Sequence, residues 1–217
     1  MKKLIAILTI LAALSSLRAA DINGSVSVGY ESQYIFRGFK LADESMVASV
    51  DLEFDSAYLG LWTNQPIVGG YDNEFDFYGG FGFDVGEGIS MDVGGTVYYY
   101  PESGPNSDTF ELFTGFVFET ELSPSVYVYY DLDLEALTLE GSVGHSFELD
   151  DNATFDVAAF MGWVDVEGAS YSYFGASADV VYSISDNSSG YIGLRATDGS
   201  NGPDGEIWGG AGLTVGF

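Results

Sequence analysis

Acidic side chains recur at every second position along several segments of the chain, and their spacing is the feature that could support chemistry. In the segment near 73–85, Glu74, Asp76 and Asp84 share one side of an extended strand, whereas the phenylalanines between them share the other. Carboxylates grouped on one face attract cations, because their fields add. The sequence therefore indicates a surface that favours cations.

His145 is the only histidine in the chain, and it would have to act as the base of a hydrolase site. Such a site needs a hydroxyl nucleophile and an orienting carboxylate beside the imidazole. Ser142, Ser146 and Glu148 are near in sequence, but alternation places each of them on the opposite face of the strand. We therefore predict no catalytic residue and no enzyme, and a hydrolase is the less favoured alternative.

The segment 198–206 carries several oxygen-bearing side chains, which are suitable ligands for calcium. It does not match the helix-flanked spacing of the common calcium loop. Turn chemistry alone accounts for its Asp, Asn, Gly and Pro residues. We predict a plain loop here, and no metal or cofactor site in the chain.

Extended strands must position these side chains. Period-two alternation, interrupted by clusters of Gly, Asp, Asn, Ser and Pro, predicts twelve strands. They lie near 24–37, 46–55, 57–64, 73–85, 89–100, 108–119, 124–132, 136–149, 153–164, 171–184, 190–197 and 206–217. In all twelve, the apolar face lacks Asp, Glu, Lys and Arg, as expected of a face that contacts hydrocarbon.

A closed transmembrane barrel explains this pattern better than a water-soluble sandwich. A sandwich would normally carry lysine on its polar faces and protective charges or proline on its edge strands. No apolar run after residue 20 is long enough for a spanning helix, and a closed barrel satisfies every backbone group in lipid. The predicted fold is all-β: an antiparallel up-and-down transmembrane β-barrel of about 12 strands.

The start and the composition of the chain agree with export to an outer membrane. Lys2 and Lys3 precede an apolar stretch and small residues, which predicts a cleaved signal peptide over 1–20 and a single barrel domain over 21–217. Without the leader, three basic residues face 33 acidic ones, which excludes nucleic acid as a partner. The absence of cysteine excludes a lipid anchor and disulfides. The final strand, which ends at Phe217, is the expected contact for the barrel-assembly machinery.

Loop lengths and aromatic residues predict the orientation of the barrel. The longer connections are assigned to the outside, and none is long enough to fold inward as a large constriction. An outer aromatic girdle is predicted from Phe36, Trp62, Tyr99, Tyr130, Trp163, Tyr171 and Trp208. A periplasmic girdle is predicted from Phe54, Phe83, Phe118, Phe147, Phe155 and Phe217.

Several short motifs resemble a known family. They are the first strand ending in residues 32–38 with the polar loop 40–45, the Phe75-Asp76-Phe77-Tyr78-Gly79-Gly80 run, and residues 97–101. These resemble the TorF-type porins, also called the Gcw_chp group, and the resemblance is specific in the first half of the chain. It implies an outer-membrane barrel for passive transport and supplies no catalytic residue.

The predicted lumen carries almost exclusively negative charge. The lumen-lining candidates are Glu31, Arg37, Asp51, Glu53, Glu74, Asp76, Asp92, Glu111, Glu140, Asp156, Asp179, Arg195 and Glu206. One-signed charge in a narrow passage selects the opposite ion, so we expect a cation-preferring pore for small solutes or ions. A structural barrel without a conducting lumen is one alternative, because twelve strands and bulky inward tyrosines leave little space. A barrel with an adhesive function is another. The acidic outer loops could contact lipopolysaccharide through divalent cations.

Overall fold

The computed structural model describes residues 22–105 and 107–217. The predicted signal peptide over 1–20 and the predicted mature start at Asp21 lie outside the described residues. Within the described part of the chain, no helix is long and apolar enough to cross a membrane.

Fourteen β-strands make up the regular structure of the described residues. They are β1 (Ile22–Glu31), β2 (Tyr34–Phe36), β3 (Phe39–Ala42), β4 (Ser45–Phe54), β5 (Ala57–Pro66), β6 (Glu74–Gly86), β7 (Ile89–Tyr99), β8 (Thr109–Phe118), β9 (Ser125–Asp131), β10 (Ala136–Asp150), β11 (Ala153–Val166), β12 (Ala169–Ser185), β13 (Ser188–Ser200) and β14 (Glu206–Gly216). Strands β2 and β3 form a separate hairpin. The other twelve form the wall of a closed barrel.

Every wall strand is antiparallel to its two neighbours, and β1 closes the barrel against β14. Backbone hydrogen bonds between Gly24 and Phe217 complete the closure at one end. The prediction of an all-β, antiparallel, closed barrel of about 12 strands is therefore confirmed.

The first predicted strand, 24–37, is wrong at its C-terminal end. The wall strand β1 stops at Glu31, and the chain then leaves the wall to form the β2–β3 hairpin. The hairpin is itself made of strands with strand-favouring residues such as Tyr34, Ile35 and Phe36, so residue type alone did not mark where the wall strand ends. The other eleven predicted segments coincide with wall strands to within a few residues.

The distribution of side chains is the reverse of that in a water-soluble protein. Large apolar side chains are exposed at the surface, among them Met161 (67% exposed) and Ile207 (75% exposed). In contrast, Glu74 and Glu111 are buried, with only 2% and 1% of their surface exposed. Water-soluble monomers rarely expose so continuous an apolar surface. The apolar face of each strand points outward, and the polar face packs inside the barrel.

The two ends of the barrel differ in their connections. At one end the turns at 55–56, 87–88, 151–152 and 186–187 contain two residues each, and 119–124 is longer. At the other end the connections are 32–44, 67–73, 100–108, 132–135, 167–168 and 201–205. We call the second the long-loop end; it includes one tight turn, 167–168, where a longer loop was predicted.

Candidate functional site

The inward face of the wall collects the acidic residues of the strands. Paired residues on neighbouring strands share a face, so the register fixes the orientation of every wall residue. Twelve of the lumen-lining candidates fall on the inward face: Glu31, Asp51, Glu53, Glu74, Asp76, Asp92, Glu111, Glu140, Asp156, Asp179, Arg195 and Glu206. The thirteenth, Arg37, reaches the interior on the hairpin and not on a wall strand.

Tyrosine hydroxyls donate hydrogen bonds to six of these carboxylates. Inward tyrosines lie one or two strands away from their acceptors, close enough for the long side chain to reach across. The pairs are Tyr191 with Glu31 at 3.1 Å, Tyr100 with Glu74 at 2.8 Å, Tyr98 with Glu111 at 3.0 Å, Tyr58 and Tyr127 with Asp92 at 3.0 and 3.2 Å, Tyr78 with Asp51, and Tyr173 with Glu140. The interior is thus partly filled by a network of phenols and carboxylates.

The two interior arginines are both engaged by carboxylates. Arg37 forms a bidentate pair with Glu111, with nitrogen–oxygen distances of 2.7 and 2.8 Å. Arg195 lies 2.8 Å from Asp179 and 3.8 Å from Glu31. The fork-shaped guanidinium group of Arg37 matches the two Glu111 oxygens and holds them firmly, whereas the contacts of Arg195 are ion pairs without hydrogen-bond geometry. The remaining inward carboxylates on the wall have no arginine partner among the described residues.

The β2–β3 hairpin folds into the barrel instead of projecting from it. Its side chains contact wall residues on well-separated strands. The ring of Tyr34 lies 5.3 Å from Trp62 on β5, that of Phe36 lies 5.7 Å from Tyr98 on β7, and that of Phe39 lies 4.9 Å from Tyr171 on β12. The prediction that no outer loop is long enough to fold inward as a large constriction overlooked this hairpin, because a short hairpin needs few residues to reach across a narrow barrel.

A tight turn places Arg37 at the tip of this hairpin. Phe36 pairs with Phe39, so Arg37 and Gly38 are the two central residues of the turn, with φ values of 47° and 88°. Two positive φ values are typical of the turn that best matches strand twist. A Cβ on Gly38 would lie 2.8 Å from the Cβ of Tyr173, so glycine is required by space as well as by φ.

Cation–π contacts add to the ion pair at the tip. The guanidinium carbon of Arg37 lies 4.8 Å from the Phe36 ring centroid and 4.7 Å from that of Tyr129. Contacts within about 6 Å are attractive, more so away from water. The tip is thus anchored to both β8 and β9, and the hairpin narrows the interior at the long-loop end.

Exposed contacts hold the base of the hairpin. Asp43 accepts a hydrogen bond of 2.8 Å from the Tyr71 hydroxyl and pairs with Lys40 at 3.2 Å. These two partners, Tyr71 first, lower the pKa of Asp43 below its ordinary value, and Asp43 raises the pKa of Lys40. Lys40 also lies 3.8 Å from Glu206 on the wall.

The predicted outer aromatic girdle is only partly present. Tyr99, Tyr130 and Trp163 face outward and are exposed. Trp62, Tyr171 and Trp208 face the interior, and Phe36 lies on the hairpin. Amphipathic rings suit both a lipid interface and a polar interior, so residue type did not distinguish the two faces. The phenylalanines of the predicted periplasmic girdle all lie on outward positions near the short-turn end.

His145 lies on the outward face of β10 near the short-turn end. Its Nδ1 is 2.8 Å from the carbonyl oxygen of Glu121, and its ring packs edge-on against Phe147 at 4.4 Å. Ser142 and Ser146 lie on the opposite, inward face of the same strand. The imidazole therefore has an interfacial aromatic environment. Within residues 22–105 and 107–217, no group of three or more His, Asp or Glu side chains is arranged to hold a metal ion.

Comparison with solved structures places this architecture among porin-type barrels. The KdgM porin matches with a TM-score of 0.64 at 11% sequence identity, covering 89% of this chain and 99% of that one. KdgM in complex with disordered oligogalacturonate matches with a TM-score of 0.62, with 11% identity and the same coverage. The NanC porin matches at 0.58, with 10% identity over 88% of this chain and 98% of that one. At such identities the likeness concerns the fold.

A family model also matches the sequence over residues 18–130, and its description is "Bacterial protein of unknown function (Gcw_chp)". The match spans more than half of the chain, so the chain belongs to this family, which confirms the family resemblance predicted from the motifs. No curated protein matches the sequence.

Proposed function

We propose that this chain forms a pore in the outer membrane of a Gram-negative bacterium, through which small solutes and ions pass passively, cations in preference to anions. The observation that carries the proposal is the charge of the interior. Eleven acidic wall residues of the candidate set face inward, whereas the two interior arginines are each paired with a carboxylate. A low-dielectric wall focuses the field of these carboxylates and raises the local concentration of cations.

The exterior of the barrel supports a location in lipid. Large aliphatic or aromatic side chains are exposed on every wall strand except β5, whose residues are half-buried or buried, and a charge at the bilayer midplane would cost about 2–4 kcal/mol if basic. The similarity to structures described as porins supports the same location. Export through a cleaved signal peptide over 1–20, assembly guided by the strand ending at Phe217, and contact of the acidic outer loops with lipopolysaccharide complete the proposal.

Electrical recording in a planar bilayer tests the pore. The full chain would be expressed with its own leader, extracted from the outer membrane and inserted under a KCl gradient. We expect a reversal potential that shows K⁺ preference. Asp51→Asn should reduce this preference, whereas Asp165→Asn, on the outward face of β11, should not. A silent bilayer would refute the pore, and a preference for Cl⁻ would refute the charge argument.

A closed structural barrel is the second candidate, because the hairpin and the tyrosines occupy part of the interior. It predicts a silent bilayer together with a band that shifts on gels after boiling, as expected of a stable barrel. A short set of loops gives an adhesive function less surface. Neither alternative predicts a selective current.

A further inference from the structure

The guanidinium group of Arg37 lies in a site that three strands of the wall build inside the barrel. Both carboxylate oxygens of Glu111 on β8 accept hydrogen bonds from it, at 2.7 and 2.8 Å. The Tyr98 hydroxyl on β7 donates a hydrogen bond of 3.0 Å to the same carboxylate. The Tyr129 ring on β9 lies 4.7 Å from the guanidinium carbon. We call Tyr98, Glu111 and Tyr129 the guanidinium site.

The geometry of this site favours a planar fork of N–H donors over a compact positive charge. A guanidinium group gives two parallel hydrogen bonds to one carboxylate and stacks on an aromatic ring, whereas an ammonium group binds as a point charge. The Glu111 side chain is 2% exposed, so water competes little for its oxygens. Arg195 has no such site, because its contacts with Asp179 and Glu31 lack hydrogen-bond geometry.

The guanidinium group that fills the site is carried by the hairpin and not by the wall. Arg37 is a central residue of the hairpin turn, with a φ of 47°. Asparagine, aspartate and glycine are favoured at such positions, so turn chemistry does not account for an arginine there. The contacts of its side chain do account for it. The hairpin also carries Lys40, so this one element holds two of the three basic residues after residue 20.

We propose that the guanidinium site recognises free guanidinium compounds and that Arg37 occupies it as a tethered competitor. A short tether gives its group an effective concentration of about millimolar or more. A free guanidinium compound therefore displaces Arg37 only above a threshold concentration, and the hairpin sets that threshold. The recognition itself is independent of conduction. Its meaning, that guanidinium compounds are a class of transported solute, rests on the proposed function.

Isothermal titration calorimetry on the full chain in detergent tests the proposal, with methylguanidinium chloride as the probe. Arg37→Gly empties the site and keeps the turn, since glycine adopts a positive φ more readily than arginine does. We expect saturable binding to Arg37→Gly that is at least tenfold tighter than binding to the wild type, whose site is occupied. Methylammonium has the same charge without the fork and should bind Arg37→Gly at least tenfold more weakly than methylguanidinium.

Arg195→Ala is the matched control, because it also removes an interior arginine but one without a bidentate partner. Its affinity for methylguanidinium should stay at the wild-type level. Adding Glu111→Gln to Arg37→Gly should weaken binding at least tenfold. A band shift on gels after boiling shows whether each variant forms the barrel.

Arg37→Lys keeps a positive charge beside Glu111 and provides the same test if Arg37→Gly does not assemble. Lysine holds the site less firmly than arginine, because it lacks the fork. Methylguanidinium should therefore bind Arg37→Lys more tightly than it binds the wild type, and at least tenfold more tightly than methylammonium binds the same variant.

The proposal would be overturned if methylguanidinium bound the Arg37 variants no more tightly than the wild type. Equal affinity for methylammonium, or equal binding by Arg195→Ala, would overturn it as well. The bilayer recording separates this result from the pore. Binding by Arg37→Gly with a silent bilayer would support the guanidinium site and refute transport, whereas a cation-selective current without such binding would do the reverse.

Discussion

The ion pair between Arg37 and Glu111 should decide whether the hairpin stays inside the barrel. The Glu111 side chain is 2% exposed and that of Arg37 is 13% exposed, so both charges are largely removed from water. Removing one partner of a buried pair costs about 3–5 kcal/mol, because the other charge is left uncompensated. Arg37 keeps some contact with solvent, so we take the lower end for Glu111→Ala, about 3 kcal/mol.

This cost should appear as release of the hairpin. Since about 1.4 kcal/mol corresponds to a factor of ten, the ratio of docked to undocked hairpin should fall roughly a hundredfold. Trypsin offers a direct assay, because the chain after residue 20 contains only three sites, at Arg37, Lys40 and Arg195. The wild-type barrel in detergent should resist cleavage at Arg37, whereas Glu111→Ala should be cut there much faster and should show a larger single-channel conductance.

Asp92→Ala is the matched control. Asp92 is another inward carboxylate with two tyrosine donors, but it has no ion pair to the hairpin among the described residues. Its loss should leave Arg37 protected from trypsin. If Glu111→Ala resists trypsin as well as the wild type does, the ion pair does not hold the hairpin and the reasoning is refuted.

Three further predictions concern the hairpin and the wall. Gly38→Ala would place a side chain at a φ of 88° and its Cβ 2.8 Å from the Cβ of Tyr173. The resulting strain of about 1–3 kcal/mol should make Arg37 more accessible to trypsin. Unchanged protection of Arg37 would contradict the close packing. Gly60→Ala should lower the urea midpoint of unfolding, because its Cβ would overlap the Tyr78 ring, whereas Gly82→Ala on the next strand meets nothing within 4 Å and should be tolerated; equal midpoints would show that the Tyr78 ring moves freely. Tyr71→Phe should raise the pKa of Asp43 in an NMR titration, because the hydrogen bond from Tyr71 is the main cause of its depression. The contribution of Asp43 to folding stability is fully present above its unfolded pKa and is lost as the pH falls through its lower folded pKa. An unchanged titration of Asp43 in the variant would refute the hydrogen bond from Tyr71.

Period-two patterning predicted the wall of the barrel well, because one face of each strand contacts an apolar environment and the other a polar interior. This double constraint excludes charge from one face, so the alternation alone indicates which acidic residues share the other face. The family motifs also lie within residues 18–130, where the family match is found. None of these signals depends on how the loops fold.

The β2–β3 hairpin was not predicted from the sequence, and the reason is physical. Residues 34–37 were included in the predicted strand 24–37, and the turn chemistry of Arg37-Gly38 and the distant partner Glu111 are what distinguish the hairpin from the wall. The partner lies 74 positions along the chain, a separation that no local pattern reports. Trp62 and Trp208 were predicted to belong to the outer girdle but face the interior, because an aromatic ring is equally suited to a membrane interface and to a polar interior.

Proteins usually stabilise buried acids with lysine or arginine, which donate hydrogen bonds and neutralise the negative charge at the same time. The tyrosines of this barrel separate those two tasks. Asp51, Glu74, Asp92 and Glu140 have their acceptors satisfied by phenols, which bring no positive charge with them. A narrow tube can thereby be well packed while these carboxylates keep no basic partner in the described part of the chain, so the rigidity of the lining and the ion preference proposed for it can be changed separately. A tyrosine-to-phenylalanine change alters the first, and an acid-to-amide change alters the second.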